Sequence, residues 1–165
     1  LEEFLDYTQN RGDFKYIIEI KNGGEAGKEA LDILYNTLIE RNILDRVIFG
    51  TFNGEISEYA SENYPDLIRS ASIKEVVEFY LAALLGRKGY EPPVKVLQVF
   101  YGKKYFKFGV NLATSRVINY AHSHNMAIQY WTINDEDEIR YLLSIGADGI
   151  MTDYVEKAFE IKKEF

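Results

Sequence analysis

Two periodicities alternate along the chain. Short runs with every second position apolar are followed by stretches whose apolar residues recur every three to four positions. Lys15–Lys21, Arg46–Phe52, Asp66–Ser70, Val94–Phe100, Met126–Ile133 and Gly149–Thr152 are of the first kind and predict strands. Glu25–Arg41, Glu55–Asn63, Ile73–Leu85, Thr114–Ser123, Asp135–Ile145 and Val155–Lys163 are of the second kind and predict helices. In the longest, Ala30, Leu31, Leu34, Leu38 and Ile39 mark the face expected to pack. Leu1–Leu5 reads as the remnant of an earlier helix, and the chain starts in it without a methionine, as a cut chain would. Asn22-Gly23-Gly24 predicts a turn, and Pro65 and Gly86 interrupt the helical pattern.

Strands that alternate with helices imply parallel pairing with right-handed crossovers. An open doubly wound sheet and a closed barrel both satisfy that pattern. A full (β/α)8 barrel takes about 250 residues. At the spacing seen here, about six β-α units fill the 165 residues.

Composition narrows the function classes. The chain is 47% hydrophobic and 15% aromatic, enough for one packed core. Its formal net charge of -7 argues against a nucleic-acid partner, which needs a basic face. A local basic site can still hold a small anion. There is no cysteine, so disulfides, thiolate metal sites and a cysteine nucleophile are excluded. No apolar run approaches the roughly 20 residues of a membrane span.

The strand Lys15–Lys21 carries the most chemistry. Side chains alternate across a strand, so Tyr16, Ile18 and Ile20 share one face and Ile17, Glu19 and Lys21 the other. A carboxylate and an ammonium then stand together at the carboxy-terminal end, where barrel active sites lie. An ordinary surface ion pair would look the same. The functional alternative is a ligand for Mg2+ or Ca2+ at Glu19 beside a phosphate-binding cation at Lys21. In Met126–Ile133 the alternation puts Met126, Ile128 and Tyr130 under helices, with Gln129 and Trp131 facing inward. Trp131 is then either core filler or the wall of a pocket. Gly102–Phe108 interleaves lysines with aromatic residues and reads as a covering loop with solvated lysines.

Several segments, in order, resemble the glycerophosphodiester phosphodiesterase family. Ile18-Glu19-Ile20-Lys21 resembles its Ile-Glu-Ile-Lys strand. Ile48–Asn53 resembles its strand ending in Ser-Phe, with Thr51 for the serine. Ala121–Met126 resembles its Ala-His-x-x-Gly-Leu, and Trp131-Thr132-Ile133-Asn134-Asp135 its Trp-Thr-Val-Asn-Asp. Gly146–Tyr154 resembles its closing Gly-Val-Asp-Gly-Ile-Ile-Thr-Asp-Tyr-Pro, with Val155 where proline is usual.

The resemblance implies a (β/α)8 TIM-type barrel, with residues 1–165 as the carboxy-terminal two-thirds of one barrel domain. It implies hydrolysis of glycerophosphodiesters to an alcohol and glycerol 3-phosphate with a divalent cation, Mg2+ or Ca2+. By the same resemblance Glu19 is one of three acidic metal ligands, and Lys21 contacts the phosphate or the nucleophile. Phe52 and Trp131 line the apolar side of the glycerol pocket. The family's His-Arg-Gly, Glu-x-Asp and His-Asp motifs are expected upstream of sequence like Leu1–Leu5 and do not occur in these residues. The 165 residues alone are therefore expected to show little or no activity. His122 and His124, the only histidines, read as helix-end residues near the negative end of the helix dipole. Two other readings stand beside this one. One is a phosphodiesterase of related barrel type, such as a phospholipase D-like toxin relative or a phosphoinositide-specific phospholipase C. The other is a non-catalytic barrel module that binds a phosphorylated ligand or a partner.

Overall fold

In each sheet one face is sealed and the other is open. The structure is a computed structural model and describes residues 1–101 and 110–165. Its contacts divide the chain into two compact units, Leu1–Ile73 and Lys74–Phe165. The basic and aromatic stretch Gly102–Phe108 lies outside the described residues.

The first unit runs α1 (Glu2–Gln9), β1 (Tyr16–Glu19), α2 (Gly24–Glu40), a 3-10 turn at Leu44–Arg46, β2 (Val47–Gly50) and α3 (Gly54–Asn63). β1 and β2 are parallel, with Tyr16 opposite Val47 and Glu19 opposite Gly50. The predicted alternation holds. Tyr16, Ile20, Val47 and Phe49 are buried in one cluster with Leu31, Leu34 and Leu38 of α2 and Ile56 and Ala60 of α3. On the other face Ile17 is 46% exposed. Ile39, assigned to the packed face of α2 from the sequence, is 49% exposed instead, one position round from the buried Leu38. Asp66–Ser70 is not a full strand. Pro65 and Asp66 form a turn, and only Arg69 and Ser70 make bridges, Arg69 a parallel one to Phe49. Phe49 donates its N–H to Ile68 O and accepts from Ser70 N–H, each at 2.8 Å.

The second unit runs α4 (Ile73–Leu85), β3 (Val96–Phe100), α5 (Ser115–Ser123), β4 (Ala127–Trp131), α6 (Glu136–Ser144), β5 (Gly149–Ile150) and α7 (Val155–Lys162). Its sheet has the order β3-β4-β5, all parallel. Leu97, Val99, Ile128 and Tyr130 are buried, while Gln98 and Gln129 are half-buried and Phe100 is 44% exposed.

A doubly wound sheet carries helices on both faces, and parallel strands in it are buried on both sides. Strands of a closed (β/α)8 barrel are likewise covered on both sides, so the partly open faces here do not choose between the two architectures. Among the described residues the strands make two separate sheets and no closed barrel. Three of the helices that follow strands, α3, α5 and α6, start on polar caps. Asn53 Oδ1 accepts from Ile56 N–H, Thr114 Oγ1 from Val117 N–H and Asp135 Oδ1 from Glu138 N–H.

Candidate active-site residues at the strand ends

Glu19 is the last residue of β1, and Lys21 lies just past it. Between them Ile20 is buried, and its N–H donates to Gly50 O at 3.0 Å. That bond holds the backbone straight through the strand end, so Glu19 and Lys21 emerge on the same side. Lys21 Nζ stands 3.9 Å from Glu19 Oε2, with side-chain exposures of 80% and 35%. A pair this open to water is weak. It leaves both groups accessible to a ligand. The in-register neighbour of Glu19 is Gly50, so β2 places no side chain beside the carboxylate.

The loops around this end are closely set. A Cβ on Gly23 would run into the Asn53 amide, so a side chain there would have to displace Asn53. Gly24 has φ +57°, the left-handed region that glycine adopts without penalty. The predicted Asn22-Gly23-Gly24 turn thus has two separate causes. Thr51 Oγ1 accepts from Asn53 N–H at 3.1 Å. Phe52, between them, is 58% exposed.

In the second unit Trp131 ends β4 and stands in register with Phe100, the end of β3. The rings meet edge to face, 5.9 Å apart at 74°. Met126, Ile128 and Tyr130 are buried and Trp131 is half-buried on the opposite side, as the alternation predicted. Below the rings Gln98 Nε2 donates to Gln129 Oε1 at 3.0 Å. A Cβ on Gly149 would lie 3.1 Å from Gln129 Cγ, so glycine on β5 makes room for that amide. The Trp131–Thr132 peptide is cis. Beyond it Asn134 joins two loops. Its Oδ1 accepts from Thr152 Oγ1 and from Asp153 N–H, both at 3.0 Å, and its Nδ2 donates to Asp153 Oδ2 at 2.8 Å.

The histidines are elsewhere. His122 Nε2 is 2.9 Å from Asp148 Oδ2, which also accepts from Ile128 N–H near the start of β4. That is the opposite end of the strand from Trp131. His124 packs against the rings of Tyr120, at 4.3 Å, and Tyr90, at 5.8 Å, and is half-buried. It is therefore less solvent-facing than the sequence suggested. Both cap the end of α5 and neither belongs to the candidate site. Beside the loops of the first unit, Lys28 holds Glu55 below the usual carboxylate range across a 2.9 Å ion pair. Burial pushes the Tyr130 phenol up, and Lys157 and then Arg140 hold Glu136 below the usual carboxylate range.

Among the described residues no group of three or more His, Cys, Asp or Glu could hold a metal ion. Glu19 offers one carboxylate, and Mg2+ or Ca2+ takes six or more oxygens. These residues do not by themselves build a cation site.

Sequence reasoning missed Phe100, the Gln98–Gln129 pair and the Asn134 junction. Alternation in Val94–Phe100 held the signal for the first two, since Gln98 and Phe100 interrupt an otherwise buried strand. Nothing local signals Asn134, whose partners lie 18 and 19 residues away.

Parallel strands that alternate with helices, with charged and aromatic side chains at the carboxy-terminal strand ends, are the layout of a (β/α)-type enzyme. The chain belongs to the Glycerophosphoryl diester phosphodiesterase family, which it matches over residues 1–157. It is 26% identical over 167 residues to a glycerophosphodiester phosphodiesterase of Bacillus altitudinis, covering 99% of this chain and 62% of that protein. The fold is similar to the crystal structure of a glycerophosphodiester phosphodiesterase from Parabacteroides distasonis. The TM-score is 0.74 at 17% identity, over 99% of this chain and 63% of the other. An Oleispira antarctica phosphodiesterase, solved with the product sn-glycerol-3-phosphate, matches 90% of this chain and 55% of its own at a TM-score of 0.64 and 16% identity. The chain thus spans less than two thirds of the length of these relatives.

Proposed function

We propose that the protein is a phosphoric diester hydrolase whose substrates are glycerophosphodiesters and whose products are an alcohol and glycerol 3-phosphate. The observation that carries this is the Glu19–Lys21 pair, accessible at a strand's carboxy-terminal end beside a glycine. It supports the reading because a phosphodiester anion needs a positive group where charge grows on its oxygens.

Lys21 supplies that group as a compact ammonium whose three protons can follow the phosphoryl oxygens. Glu19 is assigned as one ligand of a divalent cation, Mg2+ or Ca2+, which would lower the energy of the charged phosphoryl oxygens when bound. Further oxygen ligands would have to come from beyond the described residues, so no step is assigned to the cation. Trp131 and Phe52 are assigned to the carbon side of the glycerol moiety, where they exclude water. His122 lies at the end of β4 opposite Trp131, paired with Asp148, and turnover by these 165 residues alone is expected to be slow or absent.

A binding-only role is the second reading. It is favoured by the single carboxylate at the site, with no three-ligand cluster among the described residues. Calorimetric titration with glycerol 3-phosphate, with Mg2+, with Ca2+ and with chelator, tests the assignment. Binding is expected to tighten with the cation in the wild type and not in Glu19→Ala. Identical cation dependence in the two proteins would remove Glu19 from the site. Binding with no diester hydrolysis, in any polypeptide that carries these residues, would leave the binding-only role.

A further inference from the structure

β3 ends in an apolar ring that its own core does not take. Leu97 and Val99 point to the sealed face and are 0% and 3% exposed, whereas Phe100 is 44% exposed. Tyr101 turns back over the sealed side, against Tyr130 and Tyr141 at 6.3 and 6.2 Å. Phe100 is therefore the last side chain that β3 directs to the side of Trp131. The two residues are in register, and their rings stand at 74° with centroids 5.9 Å apart. Two rings at a steep angle form a corner with two apolar walls. The Gln98–Gln129 amide pair, two residues earlier on both strands, gives that corner a polar floor. A flat apolar ligand needs no such floor. A short carbon chain that carries hydroxyls uses both parts, with its C–H bonds against the rings and its oxygens toward the amides.

We infer that Phe100 is a specificity-determining residue that contacts the glycerol moiety beside Trp131. No motif in the chain singles it out. The inference rests on the function proposed above and deepens it. It separates the two parts of the ligand, because the rings recognise carbon and leave the phosphate to other groups. Removing the Phe100 ring should then weaken glycerol 3-phosphate and leave inorganic phosphate alone.

The test is a titration of wild type, Phe100→Ala, Phe100→Leu and Phe100→Tyr with glycerol 3-phosphate, repeated with inorganic phosphate as competitor. Thermal melts identify any variant that is not folded, and Phe100→Leu, which keeps most of the volume, stands in if Phe100→Ala is not. The glycerol 3-phosphate Kd is expected to rise about tenfold in Phe100→Ala, as loss of part of a ring's contact area would produce. It should rise less in Phe100→Leu and return to near the wild-type value in Phe100→Tyr. The phosphate constant should change by less than about twofold, because phosphate has no carbon for the ring to touch. Equal glycerol 3-phosphate affinities in wild type and the folded variants would overturn the inference, as would parallel weakening of both ligands. Failure of Phe100→Tyr to recover would overturn it too. If the wild type bound neither ligand, the proposed function would fall, and this inference with it.

Discussion

Asn134 and Asp153 are joined twice. The Asn134 amide donates to the Asp153 carboxylate at 2.8 Å, and its carbonyl oxygen accepts from the Asp153 backbone N–H at 3.0 Å. The loop after β4 and the loop after β5 therefore share one anchor. This gives a physical reason for the Trp-Thr-Ile-Asn and Thr-Asp-Tyr segments to occur together.

Replacing Asn134 by alanine removes both bonds and the one from Thr152. The expected loss is about 1–3 kcal/mol, measured by denaturant unfolding. Asn134→Asp keeps the acceptor but sets two carboxylates against each other. The exchanged pair Asn134→Asp with Asp153→Asn restores a donor opposite an acceptor. It should recover stability relative to Asn134→Asp alone. A double variant no better than the single one would show that the side-chain pair contributes nothing.

Gly23 leaves room for the Asn53 side chain. Gly23→Ala is expected to push Asn53 aside and disturb its cap on α3, at a cost of about 1–3 kcal/mol. Gly54 has no atom within 4 Å of an added Cβ, so Gly54→Ala is the control and should be neutral or stabilising. Thermal unfolding of the two variants decides this. Equal melting temperatures would mean that the Asn53 side chain swings away freely.

How far these relationships could be read in the sequence depended on their range. Period-two alternation correctly sorted Tyr16 and Ile20 from Ile17 and Glu19, because it depends only on backbone geometry. The period-two runs placed Glu19, Lys21 and Trp131 at strand ends; Glu19 and Trp131 end β1 and β4, and Lys21 lies two residues past β1. Strand lengths were less legible. Asp66–Ser70 keeps only isolated bridges at Arg69 and Ser70, since the turn at Pro65 and Asp66 uses up its first half. Phe100 was passed over because a phenylalanine in a strand reads as core by default, and exposure is set by which face the helices cover. Asn134 was invisible as a junction because its bonds reach Thr152 and Asp153, which local pattern does not connect to it.

Acid should loosen the pairing of α6 with α7. Arg140 binds both carboxylate oxygens of Glu164, at 3.0 and 3.1 Å, and Glu136 bridges Arg140 and Lys157. Arg140 holds Glu164 below the usual carboxylate range, and Lys157, then Arg140, do the same for Glu136. A carboxyl whose pKa is lowered by folding stabilises the folded state above the ordinary glutamate value of about 4.3. The contribution fades as the pH falls through the lowered values. Arg140→Gln should melt below the wild type at pH 7, with a gap that narrows as the pH drops below about 4.3. The pair is exposed, so the gap should be small. A gap constant with pH would assign the effect of Arg140 to packing.

The central proposal is that the protein binds glycerol 3-phosphate through Lys21, with Trp131 as the reporter of binding. Trp131 is the only tryptophan in the chain, so its emission reports on it alone. The direct measurement is the fluorescence of Trp131 during titration with glycerol 3-phosphate, in the wild type and in Lys21→Ala. The account predicts a saturable change in the wild type and a curve displaced at least about tenfold to higher concentration in the variant, since a charged hydrogen bond to phosphate is lost. Superimposable curves in the two proteins, or an indole that never responds, would contradict it.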